Sequence, residues 1–323
     1  MLQSDKSKGE KEKTRRNFLK LGLGASAAAI VGCGLTQSCT SSVIQEEGKE
    51  EMAKLLSPDG QLIEVPKSQL KPVMCSPVST EEARKGMPGK KFVMVIDLAK
   101  CKNARKCVSA CQKMHYLNED QEWLSVKLMK DNENTSPYWF PKTCFHCDNP
   151  PCVKVCPVSA TFKRDDGLVL IDNERCIGCK FCMVACPYST RVFNWEDPQQ
   201  PPEAFANPFS PESSVPAQKG TVGKCDFCPD MTRMGKLPDC VTACPNGVFY
   251  FGDENEDTVT NGEETVRFSQ LLKDKAGYRY MEELGTKPRV YYLPPTDRLA
   301  PFEKGLENLS EEEKARYKDV LEG

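Results

Sequence analysis

The sequence predicts an α+β fold: two nested modules of short strands and short helices held by cysteines, with long loops and a peripheral carboxyl-terminal extension. Three observations predict it. Fifteen of the 18 cysteines lie in four blocks between Cys101 and Cys244. Three of the blocks end in the same CxxxCP run, so they are variations on one local design. An internal repeat sets the organisation: KFVMVIDLAKC, ending at Cys101, and GLVLIDNERC, ending at Cys176, share an apolar strand, an aspartate (Asp97, Asp172) and the same step to the first cysteine of a block.

From the amino terminus, Thr14 to Lys20 reads TRRNFLK, in which Arg15 and Arg16 follow a polar, basic leader and precede a short apolar run from Leu21 to Gly32. This is the pattern of a twin-arginine export signal, and the run is too short to span a bilayer comfortably. Residues 1–32 are therefore predicted to be a signal peptide. Ile30 to Cys33 (IVGC) resembles a lipobox, which makes Cys33 a candidate lipidation site and the start of a tether and amino-terminal extension over residues 33–89. The expected location is the periplasmic face of the cytoplasmic membrane. A net charge of −2 argues against nucleic acid as a partner, and two histidines leave little for proton chemistry.

The four blocks come next. Cys101, Cys107 and Cys111 lie in CKNARKCVSACQ, where Ala104 occupies the position of the second cysteine; Cys144, Cys147, Cys152 and Cys156 lie in CFHCDNPPCVKVCP. Cys176, Cys179, Cys182 and Cys186 form CIGCKFCMVACP, the bacterial ferredoxin signature, in which three thiolates hold one cubane and the fourth holds its neighbour. Cys225 and Cys228 precede Cys240 and Cys244 by an eleven-residue insertion. Disulfides and zinc compete for so many cysteines. Loop-closing bridges do not need CxxC and CxxxC spacings repeated block after block, and a zinc ribbon uses two pairs per site rather than three or four thiols in one short run. Iron–sulfur clusters fit the spacing best. Cys33, Cys39 and Cys75 match no cluster motif.

Each of the two repeats ending at Cys101 and Cys176 reads as a short strand feeding a cluster loop, with the CxxxC portion opening a helix. Residues 141–196 are predicted to form one ferredoxin-like dicluster module, nested inside a second made from 90–140 plus 221–255. Residues 197–220 hold six prolines and read as a long surface loop. Asp253 to Glu264 reads as an acidic, solvated loop, VRFSQLLKDK as a short amphipathic helix, and RVYYLPP as a strand closing on a surface. Residues 256–323 together are the carboxyl-terminal extension. His146 is a candidate hydrogen-bond donor to a cluster, His115 a packed histidine. Trp139 and Trp195 are expected to wall the clusters from water.

The block order, the CxHCxxPPC form of the second block, the segment GYRYMEELGTKP and the YYLPP ending resemble the four-cluster iron–sulfur subunits of respiratory molybdopterin oxidoreductases. These include the polysulfide reductase, DMSO reductase, formate dehydrogenase and formate-linked nitrite reductase systems. The resemblance covers about Lys90 to Pro295 and implies four ligand sets. Cys144, Cys147, Cys152 and Cys186 would hold one 4Fe-4S cluster, and Cys176, Cys179, Cys182 and Cys156 its neighbour. Cys225, Cys228, Cys240 and Cys111 would hold a third. Cys101, Cys107 and Cys244 remain, and with Ala104 in place of a thiol they favour a 3Fe-4S cluster; a fourth iron held by Asn103 or water, or an empty site, are the alternatives.

The resemblance further implies a non-catalytic electron-transfer subunit between a quinone-reactive integral membrane subunit and a molybdopterin catalytic or cytochrome subunit. Membrane contact would come through the lipid anchor and the partner. A soluble periplasmic ferredoxin-like carrier or a hydrogenase-linked iron–sulfur subunit is the alternative.

Overall fold

A computed structural model describes residues 52–56, 62–66, 78–197, 209–212, 217–299, 302, 305–318 and 320. The twin-arginine segment, Cys33, Cys39 and Cys75 lie outside the described residues. The chain divides into two units, Met1–Lys71 and Pro72–Gly323. In the first, strands β1 (Met52–Leu56) and β2 (Leu62–Pro66) form an antiparallel hairpin.

The second unit carries the four blocks. Helix α1 (Thr80–Lys85) is closed by a capping box between Ser79 and Glu82, which satisfies orphan N–H groups at both positions. Strand β3 (Phe92–Asp97) is wholly buried and runs into block one, whose CxxxC portion opens helix α2 (Lys106–Met114). The hairpin β4 (Ser125–Met129) and β5 (Tyr138–Lys142) leads to block two and helix α3 (Pro151–Lys154). Strands β6 (Thr161–Lys163) and β7 (Val169–Ile171) lie between blocks two and three, and helix α4 (Phe181–Val184) belongs to block three. Beyond it β8 (Val192–Phe193) pairs with β9 (Val222–Gly223), which enters block four. That block holds α5 (Pro229–Arg233) and α6 (Asp239–Thr242). Then come β10 (Phe249–Asp253), β11 (Thr258–Thr260), β12 (Thr265–Arg267), α7 (Phe268–Asp274), β13 (Val290–Leu293) and α8 (Glu311–Arg316).

Strand pairing follows the repeat seen in the sequence. β6 leaves block two and pairs antiparallel with β7, which feeds block three. In the same way β10 leaves block four and pairs antiparallel with β3, which feeds block one. The helices follow suit, α3 packing on α4 and α2 on α6. Each strand pair thus joins a block that is ending to a block that is beginning.

The structure corrects three expectations. The acidic stretch after Asp253 is not a solvated loop: Thr-Val-Thr alternation puts Val259 into the core and makes β11 the neighbour of β10 in a five-stranded sheet of order β12-β11-β10-β3-β13. RVYYLPP does not close on a surface; β13 runs parallel to β3 with all four residues buried, and Tyr292 stacks on Phe140 at 4.4 Å between ring centroids. The carboxyl-terminal extension is not peripheral. Leu309 is buried in the main core, and Leu306 and Phe302 pack against it.

The proline-rich insertion is also tied to the molecule where it is described. Glu212 is buried and accepts from Arg164 Nη1 at 2.5 Å and from Arg233 Nε and Nη2 at 2.6 and 2.8 Å, while Arg164 forks onto the buried Asp166. Buried charges in this network are compensated on both sides, which is the condition under which such a cluster is tolerable.

Candidate functional site: four clusters of thiols

All fifteen block cysteines are free thiols. The fold gathers them into four groups. Cys144, Cys147, Cys152 and Cys186 line one cavity walled by Phe145, Val169, Pro187 and Tyr188. Cys156, Cys176, Cys179 and Cys182 line a second with Ile171, Ile177 and Val222. Cys101, Cys107 and Cys244 line a third beside Asn103, Ala104 and Phe249. Cys111, Cys225, Cys228 and Cys240 are all buried and close enough that each raises the cost of a negative charge on another. The three cavities each bring together the thiols of one ligand set implied by the resemblance.

A backbone feature that sequence reading missed recurs in every block. The residue just before the second cysteine position has a positive φ each time: 51° at Asn103, 43° at His146, 72° at Gly178 and 67° at Phe227. Left-handed residues inside such loops turn successive N–H groups toward one point and form an anion-binding nest. Only block three uses glycine, where a Cβ on Gly178 would run into the carbonyl of Gly220. The other three carry side chains in a conformation costing on the order of 1–3 kcal/mol each. Block one retains the conformation although Ala104 has replaced its thiol.

The electrostatics suit metal-bound thiolates better than free ones. Burial pushes the thiols of Cys101, Cys107, Cys147 and Cys225 up to about 12, and neighbouring thiols or carboxylates add to the rise. Cys111, Cys228 and Cys240 are also raised well above the usual thiol range, again by burial first. Cys156 is the exception: it is less enclosed, and the N–H groups of Thr161, Val158 and Ala160 outweigh its burial and lower it. A cation that displaces the thiol protons removes the penalty, which is how structural metal sites couple binding to folding.

Several side chains fall in places the sequence did not show. His146 is buried, and both its ring nitrogens are used on backbone: Val169 N–H donates to Nδ1 at 3.0 Å, and Nε2 donates to the Cys225 carbonyl at 3.1 Å. It therefore ties block two to block four and does not donate to a cluster. Burial, with Lys224 and Lys163 nearby, holds the ring neutral well below the usual histidine range. His115 is packed as expected, 4.6 Å from the Trp123 ring, but its Nε2 also lies 3.7 Å from Cys228 Sγ and from Asp226 Oδ1. Trp139 is buried in the main core but lines none of the three thiol cavities, and Trp195 is 67% exposed.

At the Ala104 loop, Asn103 is fully buried and its Nδ2 donates to the Gly305 carbonyl at 2.9 Å, while its Oδ1 has no partner among the described residues. Gly305 sits so close that a Cβ would lie 2.7 Å from the Lys102 carbonyl and 2.9 Å from Trp139 Nε1, and its φ of 85° also demands glycine. Arg105 is spent on Glu122 at 2.8 Å and Glu313 at 2.9 Å. The carboxyl-terminal segment thus caps this loop.

The residues fit iron–sulfur clusters: convergent thiols, nests of N–H groups, and largely apolar walls. A model of a 4Fe-4S dicluster domain matches residues 135–200 and 208–254, covering blocks two to four. A selenate reductase subunit from Mesobacillus selenatarsenatis is 32% identical over 300 residues, spanning 89% of this chain and 99% of that protein. The iron–sulfur cluster-binding subunit of menaquinone reductase from Nitratidesulfovibrio vulgaris is 36% identical over 234 residues, 63% of this chain and 88% of that one. Protein NrfC of Escherichia coli K12 is 34% identical over 212 residues, 64% and 82% of the two chains. Cysteine geometry and relatives that align over most of their length converge on one conclusion: the chain belongs to the family of 4Fe-4S dicluster iron–sulfur subunits, the non-catalytic electron-transfer components of membrane-associated respiratory oxidoreductases.

Proposed function

We propose that this chain is a four-cluster wire on the periplasmic face of the cytoplasmic membrane, exchanging electrons between a quinone-reactive membrane subunit and a molybdopterin catalytic or cytochrome subunit. Three thiol groups of four hold 4Fe-4S clusters, in two nested ferredoxin-like modules, and Cys101, Cys107 and Cys244 hold a 3Fe-4S cluster. Bound clusters supply one-electron carriers; the chain supplies the rest. Its thiols fix their positions, the nests orient N–H groups toward them, and Phe145, Tyr188 and Phe249 keep water away. The retained strained loop at Asn103 and the retained Cys101, Cys107 and Cys244 support an occupied site there. An abandoned loop would have no reason to keep that backbone.

The observation that carries the partner reading is the surface around Cys179, the one exposed block cysteine. Ile177, Phe181 and Val184 are 63%, 59% and 88% exposed on its loop and helix α4. Lys180 Nζ stands 3.6 Å above the exposed Trp195 ring. A carrier that diffuses freely would not need large apolar side chains at the mouth of its most accessible site, and such groups mark interaction surfaces. No helix among the described residues is long and apolar enough to cross a membrane, so membrane contact is assigned to the partner and to a lipid on Cys33. Export is assigned to Arg15 and Arg16.

Affinity purification of the tagged chain from detergent-solubilised membranes is expected to bring down an integral membrane subunit and a larger redox subunit. Phe181→Ala with Val184→Asp is expected to weaken capture of one partner about tenfold or more while leaving iron content unchanged, as for an interface anchor. Arg15→Lys with Arg16→Lys is expected to leave the cluster-loaded chain in the cytoplasm. Quantitative recovery of monomer without any membrane protein would favour the soluble carrier.

A further inference from the structure

Arg191 follows block three, and its side chain is buried, with 6% of the residue exposed. It lies in the wall of the cavity lined by Cys144, Cys147, Cys152 and Cys186. Its Nη1 donates to Thr161 Oγ1 at 3.2 Å, and its Nη2 is buried with no hydrogen-bond partner among the described residues. No carboxylate forms an ion pair with it among the described residues, in contrast to the equally buried Arg164, which has Asp166 and Glu212. Taking a guanidinium out of water costs several kcal/mol unless an opposite charge and hydrogen-bond acceptors replace the solvent. A buried cation so placed needs an anion.

Among the described residues, the groups that can supply negative charge to it from both sides are thiolates. Arg191 stands between two thiol groups: it walls the cavity of Cys152, and Thr161, to which it donates, walls the cavity of Cys182. Lys224 adds a second buried cation on one side. Its Nζ donates to the Cys225 carbonyl at 2.7 Å, and its charge reaches Cys152.

We propose that Arg191 is the shared counter-ion of two adjacent clusters, those of Cys144, Cys147, Cys152, Cys186 and of Cys156, Cys176, Cys179, Cys182. It is a positioning residue: it carries no electron, but its fixed charge favours the more negative, reduced state of both neighbours, because net charge and hydrogen bonding set cluster potential. The inference rests on the ligand sets proposed above.

Redox titration followed by EPR, on the intact complex, tests it with Arg191→Gln and Arg191→Lys. In the glutamine variant at full iron loading, two clusters are expected to become harder to reduce by about tenfold or more in equilibrium constant, equivalent to about 59 mV for one electron. The two affected signals are those that Cys152→Ser and Cys182→Ser alter, and the other two should stay in place. The lysine variant keeps the charge and is expected to restore most of the potential. If glutamine instead costs iron at those two sites and lysine restores it, the counter-ion role stands. Unchanged potentials in a fully loaded glutamine variant would overturn the proposal, and so would equal loss of all clusters in both variants, which describes a structural staple. Failure of the underlying ligand sets would be visible separately, as a wild-type protein that holds too little iron for them.

Discussion

Removing iron from the anaerobically purified protein is expected to collapse the unit from Pro72 to Gly323 rather than to leave an empty scaffold. Helices α3, α4 and α6 are four residues long, far below the length at which a helix is stable without tertiary support. Asn103, His146 and Phe227 hold left-handed conformations that only an over-determined environment maintains. Six of the fifteen block cysteines belong to the main core itself, and three more pack against it. Structural thiol–metal sites contribute on the order of 10 kcal/mol, comparable with the whole stability of an ordinary domain at about 5–15 kcal/mol. Chelation under reducing conditions should abolish cooperative thermal unfolding and most far-ultraviolet ellipticity together.

The same thiols set the sign of the pH dependence. A cysteine thiol in the collapsed, iron-free chain has a pKa of about 8.5 and is mostly protonated at neutral pH, and burial in the fold raises Cys101, Cys107, Cys147 and Cys225 to about 12, so each must release a proton as iron binds. Loading is therefore expected to weaken as pH falls. An iron-free chain that keeps its native ellipticity would show that the hydrophobic core suffices alone.

Ala104→Cys is expected to convert the Cys101 site from three irons to four. The loop is already in the conformation of the complete block three: φ is 51° and 52° at Asn103 and Arg105, against 72° and 61° at Gly178 and Lys180. A thiol at position 104 would need no rebuilding of the backbone. An oxidised 3Fe-4S cluster has an odd number of unpaired electrons and a nearly isotropic EPR signal, whereas oxidised low-potential 4Fe-4S clusters are diamagnetic. The air-oxidised wild type should show that signal, and the variant should lack it and titrate at lower potential. An oxidised three-iron site with three thiolates carries the same net charge as an oxidised cubane with four, so its higher potential has to arise from cluster type and surroundings. A wild-type signal that persists in a fully loaded variant would place the three-iron cluster elsewhere.

How much of the fold and the site is legible in the sequence depends on range along the chain. Cysteine spacing is local, and the blocks, their CxxxC helices and the strands β3 and β7 can be read directly. The grouping of Cys186 with block two and Cys244 with block one comes from resemblance, since nothing local says where a fourth thiol goes. Features set by distant packing are invisible. Val259 is one apolar residue in an acidic stretch until β10 stands beside it, and YYLPP gives no sign that it will lie parallel to β3. Gly305 reads as an ordinary tail glycine, yet only its missing side chain lets the carboxyl-terminal segment close over Lys102 and Asn103. Arg191 lies outside every cysteine motif, and its burial without a carboxylate partner among the described residues emerges only when block three folds against block two.

The most direct measurement is iron and acid-labile sulfide analysis with Mössbauer spectroscopy on the anaerobically purified protein. Three cubanes and one three-iron cluster give about 15 irons per chain, in two spectral classes. About eight irons, as for a single dicluster module, or stoichiometric zinc in their place, would contradict the four-cluster wire.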